Sequence, residues 1–180
     1  MRVITGKARG RKLKEPSNYD IRPTTDNVKE SIFNILQFDI EGRKVLDLFA
    51  GTGQLGIECL SRGAESVTFV DQSREAIELV KANLKTCGFE ARVVTSESIA
   101  FLSRGGRYDL IILDPPYATE LLEKALEIIN SVDMLSEGGI ITCESSRDKI
   151  MPELKAPYKK SREYSYGKVK LTTYIRETAE

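Results

Sequence analysis

Val45-Leu-Asp-Leu-Phe-Ala-Gly-Thr-Gly-Gln-Leu-Gly-Ile57 is the stretch on which the reading of this chain turns. Val45–Phe49 is an apolar run broken only by Asp47, as expected of a strand buried on both faces. Three glycines follow, and then a helix that ends at Gly63. A strand, a glycine turn and a helix together let a ligand approach the main chain at the end of a parallel sheet. Downstream, strand and helix keep alternating. Val67–Val70 predicts a second strand. The helix after it carries Ile77, Val80 and Leu84 on one face and stops at Gly88. Arg92–Thr95 and Asp109–Leu113 predict the third and fourth strands. A helix from about Thr119 presents Leu122, Leu126 and Ile129, and Gly138-Gly139 leads into a fifth strand, Ile140–Cys143. Such alternation indicates a parallel sheet covered on both sides.

The ends of the chain depart from this pattern. Arg162–Tyr166 and Val169–Ile175 are separated only by Gly167-Lys168, too short for a crossover, so an antiparallel hairpin is expected. Upstream, Thr24 or Thr25 can cap a helix whose apolar face is Val28, Ile32, Ile35 and Leu36. Before it, Val3, Ile4 and Leu13 around Gly6 and Gly10 predict a basic β-hairpin extension. The expected architecture is a single α/β domain over residues 1–180, with 1–20 as the hairpin extension and 21–180 as the core. It resembles the Rossmann-like methyltransferase fold: a mostly parallel sheet closed by an antiparallel C-terminal hairpin.

Composition excludes several chemistries. The 180 residues contain no histidine, so neither a Ser-His-Asp triad nor an imidazole base is available. Cys59, Cys87 and Cys143 lack metal-ligand spacing and are expected as buried thiols, with no metal site. No apolar stretch is long enough to span a bilayer, and the expected location is cytoplasmic, with no membrane partner. Net charge is zero, yet its distribution is uneven. Arg2, Lys7, Arg9, Arg11, Lys12 and Lys14 occur before any acid, and Lys155, Lys159, Lys160, Arg162, Lys168 and Lys170 face only Glu163 within their segment. Two basic ends flanking a cofactor domain suit a polyanion.

Gly51, Gly53 and Gly56 match G-x-G-x-x-G, which also occurs in dinucleotide sites. Asp47 decides against that reading, because a carboxylate beside a diphosphate is repelled. S-adenosylmethionine carries an ammonium and a sulfonium instead, and an acid at the strand end favours them. Phe49, Gly51 and Gly53 join Asp47 as expected cofactor residues. Asp71 ends the second strand, where its carboxylate can accept ribose hydroxyls or cap the helix near Ser73. Glu97 or Ser98 is placed beside the adenine, although Glu97 suits a helix first turn equally well.

Asp114-Pro-Pro-Tyr117 ends the fourth strand. An amino group conjugated to a nucleobase is a poor nucleophile, so it must be held in line and its N–H bonds given acceptors. Asp114 and the Pro115 carbonyl can supply them, Pro115-Pro116 stiffens the loop, and Tyr117 can stack on the ring. The base must be unpaired or flipped to reach such a pocket.

Gly10-Arg-Lys-Leu13, Arg22-Pro-Thr-Thr-Asp-Asn-Val-Lys-Glu-Ser-Ile-Phe-Asn-Ile-Leu36, the glycine-loop segment and Asp114-Pro-Pro-Tyr117 together resemble the RsmD family of bacterial 16S rRNA guanine-N2 methyltransferases. The C-terminal quarter matches only in outline. The resemblance implies methylation of a guanine N2 in small-subunit rRNA, with 16S rRNA or the small ribosomal subunit as partner. It also suggests that Arg22 and the basic hairpin, with Arg9, Arg11 and Lys12, help organise RNA and cofactor. A monomer is expected. Two other readings remain in view: an adenine-N6 nucleic-acid methyltransferase, and a non-catalytic cofactor-sensing RNA-binding or assembly protein.

Overall fold

The computed structural model describes residues 1–17 and 24–179. The elements run α1 (Asp26–Ile35), β1 (Lys44–Asp47), α2 (Gln54–Ser61), β2 (Ser66–Asp71), α3 (Arg74–Cys87), β3 (Arg92–Thr95), α4 (Ser98–Leu102), β4 (Tyr108–Leu113), α5 (Leu121–Ser131), β5 (Leu135–Ser146), β6 (Tyr158–Tyr166) and β7 (Val169–Arg176). One sheet of seven strands has the order β3-β2-β1-β4-β5-β7-β6. β1 to β5 pair in parallel, while β7 is antiparallel to both its neighbours, as the short Gly167-Lys168 connection requires. The order reverses between β1 and β4, and a crevice opens there at the carboxyl ends of the strands.

Alternation along each strand divides the core in two. Val45, Val67, Phe69, Leu110 and Ile112 face α1, α2 and α3. Leu46, Val70, Ile111, Leu113 and Ile141 face α4 and α5. Both faces are therefore apolar, which explains the near-continuous runs in the sequence.

Several expected boundaries shift. β5 was expected over Ile140–Cys143, but it extends back to Leu135 and absorbs Gly138-Gly139 as an irregularity, Tyr108 pairing with Leu135 and Leu110 with Ile140. β6 begins at Tyr158 rather than at Arg162. The five-residue α4 is too short to show a helical period in the sequence. Helix α3 stops at Gly88, in the left-handed region, as expected; its cap is Ser73, which accepts the Ala76 N–H, and not Asp71. On α1 the buried stripe is Val28, Lys29, Ile32 and Phe33, followed by Leu36, with Ile35 only partly buried. Thr25 occupies the N-cap position without a capping side-chain bond.

The N-terminal hairpin is not a strand ladder. A single antiparallel bridge joins Arg2 and Lys12. The segment is anchored instead to α2 and α3. Glu58 accepts the N–H groups of Ile4 and Thr5 at 2.9 and 3.0 Å. Ser61 Oγ accepts from Ala8, and Asn83 Oδ1 accepts from Lys14. Val3, Ala8 and Leu13 are buried in the same cluster as α1 to α3. Gly6 fits because it has no side chain: at φ 90° a Cβ would lie 1.9 Å from the Ser61 carbonyl oxygen. Apolar residues point inward and Arg2, Lys7, Arg9, Arg11, Lys12 and Lys14 point to solvent.

Candidate active site

A cavity of about 740 Å³ opens at the strand-order reversal. Residues following each of β1 to β4, Glu144 of β5, and Thr24, Thr25 and Val28 at the start of α1 form its wall. The volume is that of a site for a nucleoside-sized ligand. Four acids, Asp71, Glu97, Asp114 and Glu144, line it, and no lysine or arginine does so among the described residues. That charge pattern favours a cationic ligand and opposes a diphosphate.

Asp71 has the contacts of a loop clamp. Its Oδ2 accepts the Gly51 N–H and its Oδ1 the Ser73 N–H, both at 2.9 Å. These bonds fix the glycine loop against the start of α3 and leave the carboxylate on the wall, where it can take further donors. Phe49 and Gly51 also line the cavity. Glu97 caps α4 by accepting from Ile99 and Ala100 at 3.0 and 2.9 Å. Those backbone N–H groups, Ile99 first, hold its pKa below the ordinary carboxylate value. The Ser98 hydroxyl donates to the same carboxylate, and both residues border the cavity.

Asp47 and Gly53 stand behind the wall. The Asp47 carboxylate, 1% exposed, accepts the Gly56 N–H at 3.0 Å and so secures the loop from beneath. Gly53, at φ 80°, places its Cβ position 3.1 Å from a Val80 methyl, facing α3. Both shape the loop that meets a ligand. Burial, and secondarily the charge of Asp71, push the Asp47 pKa from 3.8 to about 7. The folded state therefore binds this proton more tightly than the unfolded chain, and the associated stabilisation is lost as pH rises towards 7. Asp47→Asn should accordingly raise stability at pH 8 by about 1–3 kcal/mol. The gain should shrink at pH 5, as read from urea midpoints at the two pH values.

At the other end of the cavity, Asp114 Oδ2 accepts the Thr24 hydroxyl at 2.8 Å. Thr24 lies one residue before the N-cap position, and its hydroxyl serves Asp114 instead of α1. The Thr24 carbonyl accepts from Gln54 Nε2 at 3.2 Å, so one residue joins the glycine-loop helix to the Asp114 loop. Gln54 Oε1 is buried on the wall with no hydrogen-bond partner among the described residues. It is an acceptor suited to a ligand ammonium. Pro115, Pro116 and Tyr117 follow Asp114 along the wall. The Tyr117 hydroxyl donates to Glu144 Oε1, a contact the sequence did not suggest. Burial, then the neighbouring Glu144 charge, raises the Asp114 pKa well above the usual range, against the lowering pull of the Thr24 bond.

Thr24, Gln54 and Glu144 were not among the site residues expected from sequence. Glu144 had a signal: an acid directly after Cys143, at the same sheet end as Asp47, Asp71 and Asp114. Arg22 lies outside the described residues.

Parallel strands in this order, a glycine loop after β1, an acid ending β2 and Asp-Pro-Pro-Tyr after β4 define a chain of the Rossmann-like methyltransferase fold. Residues 1–175 match the family described as "Conserved hypothetical protein 95". The chain is 41% identical to "Putative rRNA methyltransferase YlbH" of Bacillus subtilis (strain 168), over 97% of this chain and 98% of that protein. It is 36% identical to "Ribosomal RNA small subunit methyltransferase D" of Escherichia coli (strain K12), over 98% and 90% of the two chains. Among solved structures, "Putative methyltransferase yhhF from Escherichia coli" superimposes with a TM-score of 0.89 at 36% identity, covering 98% of each chain. The protein belongs to this family, the RsmD group that its sequence resembles.

Proposed function

We propose that the protein transfers a methyl group from S-adenosylmethionine to the N2 amino group of a guanine in small-subunit rRNA. The observation that carries this reading is the position of Asp114, on the wall of the same cavity as the glycine loop and Asp71. The small-subunit rRNA methyltransferase relative supports the choice of substrate.

S-adenosylmethionine supplies an electrophilic methyl on a sulfonium. The loop at Phe49 and Gly51, with Asp71 beside it on the wall, is suited to hold the nucleoside half, and Gln54 Oε1 to accept from the ammonium. Ser98 borders the remaining wall with Glu97. Asp114 takes an N–H of the incoming amino group and orients its lone pair towards the methyl. As the nitrogen gains the methyl and the sulfonium becomes a neutral thioether, the fixed carboxylate stabilises the developing charge without rearrangement, and the surplus N–H proton is then lost to solvent. The rigid Pro115-Pro116 segment keeps that acceptor in place, and Tyr117 flanks the base. The test is transfer of labelled methyl to small-subunit rRNA, followed by nucleoside digestion. Label in N2-methylguanosine is expected; no label, or label in another nucleoside, overturns the reading.

RNA is held by the N-terminal segment in this reading. Its six basic side chains are exposed and have no ion-pair partner among the described residues. The C-terminal basic segment is partly neutralised: Lys159 pairs with Glu177 and Lys160 with Glu153. Converting Arg9, Arg11 and Lys12 to glutamine should flatten the salt dependence of RNA affinity by ~0.7–0.9 units of slope per lost phosphate contact. Binding titrations across salt concentrations measure this, and an unchanged slope would leave the three side chains as solvated surface only.

A further inference from the structure

Guanine differs from the other amino-bearing bases along its Watson–Crick edge. Its amino group lies beside a ring N1–H, so two donors stand side by side. Adenine and cytosine place a ring acceptor beside their amino group. A pocket that selects guanine therefore needs two adjacent acceptors, and a single carboxylate arm at Asp114 leaves the second position unassigned.

The sheet provides one. β4 and β5 run parallel, and Leu113 pairs with Cys143. Asp114 directly follows β4 and Glu144 is the next residue along β5, so their backbones lie side by side where β4 ends, about 4.8 Å apart by the spacing of paired strands. Both line the cavity. Each carboxyl is oriented by a hydroxyl: Thr24 donates to Asp114 and Tyr117 to Glu144. Burial, then the Glu144 charge, raises the Asp114 pKa above the usual carboxylate range, as neighbouring acids do. A carboxyl that keeps the proton still accepts through its carbonyl oxygen, so the pair offers acceptors in either state.

We propose that Glu144 is the second reader of the target base, accepting the ring N1–H of guanine while Asp114 accepts from the N2 amino group. Glu144 is thus a specificity-determining residue, and Tyr117 holds its carboxyl in register. This proposal rests on the guanine methyl-transfer reading above. An adenine in the same pose would set its unprotonated N1 against the Glu144 carboxylate, a lone pair against a lone pair.

The test uses 2-aminopurine, which keeps the C2 amino group but has no N1–H. Single-turnover methyl transfer is measured on small-subunit rRNA fragments bearing guanine or 2-aminopurine at the methylated position. The intact protein is compared with Glu144→Gln and Tyr117→Phe, and S-adenosylhomocysteine affinity is measured in parallel to report on the fold. The unmodified protein should prefer guanine by about tenfold to a hundredfold, the effect of one hydrogen bond to a charged acceptor. A glutamine amide can accept from N1–H or donate to N1, so the preference in Glu144→Gln should fall towards parity while S-adenosylhomocysteine affinity stays the same. Tyr117→Phe should lower the preference part of the way. An unchanged preference in Glu144→Gln, with the unmodified protein active on guanine, overturns the role of Glu144 alone. An unmodified protein that labels neither fragment overturns the guanine reading itself.

Discussion

Asp114→Ala should lower single-turnover methyl transfer by about 10²–10³ while S-adenosylmethionine affinity stays nearly unchanged. The expected size follows from when the carboxylate acts. It contributes little to holding a neutral amino group and most as positive charge builds on the nitrogen, so the loss falls on the chemical step. Cofactor affinity is spared because the contacts suited to the nucleoside lie after β1, β2 and β3, whereas Asp114 follows β4. Alanine also leaves the Thr24 hydroxyl without its acceptor. Asp114→Asn separates the two effects: its amide oxygen can still accept from Thr24, but it carries no charge. Turnover should therefore fall in Asn as well. Stability should hold or rise, because a carboxyl whose pKa burial has raised is costly to ionise in the folded state. Calorimetry for the cofactor, rapid-quench transfer for the chemistry and urea unfolding for the fold distinguish these outcomes. Full turnover by Asp114→Ala would remove the amino-group mechanism.

Glu58→Ala should destabilise the fold by about 3–5 kcal/mol, the usual result of stripping one partner from a buried ion pair. Glu58 and Lys29 have side chains 0% exposed, and their charged atoms lie 3.3 Å apart. Arg62 Nε pairs with the other Glu58 oxygen at 3.0 Å. Lys29 also donates to the Arg2 carbonyl at 2.9 Å, so the pair ties α1, α2 and the N-terminal segment together. Burial lowers the Lys29 pKa and Glu58 opposes that shift, so without Glu58 the ammonium is stranded. Adding Lys29→Met should recover much of the loss, since a stem of similar volume carries no charge to strand. Urea midpoints of the two single variants and the double variant measure the coupling. The Ile4 and Thr5 N–H groups lose their acceptor in the same variant, so the N-terminal segment should loosen first, visible as faster amide exchange there.

The two results separate what could be read along the chain from what could not. Asp114 was legible because strand periodicity placed it at a strand end and two prolines made its local geometry explicit. Asp71 was legible from its place at a strand end, although its backbone contacts to Gly51 and Ser73 were not. Lys29 and Glu58 were not legible as core. Charged residues are almost never fully buried unless paired, and pairing across 29 positions leaves no periodic trace. The basic N-terminus was legible as basic, but not that its two arms, joined by a few backbone bonds and one bridge, are anchored to Glu58, Ser61 and Asn83.

By itself the sequence determined the alternation of strands and helices, the antiparallel close of the sheet, the glycine loop, and acids at successive strand ends. Each of these follows from local periodicity, turn length or a residue's position relative to its own strand. Only the tertiary structure decided that Asp47 and Gly53 support the loop from behind, that Thr24 links Gln54 to Asp114, and that Glu144 stands beside Asp114. Those facts depend on strand order: β1 lies next to β4 and β4 next to β5, although long stretches of chain separate them. Hydrogen bonding between strands brings their ends within one side-chain length, and that spacing turns separate acids into a single site.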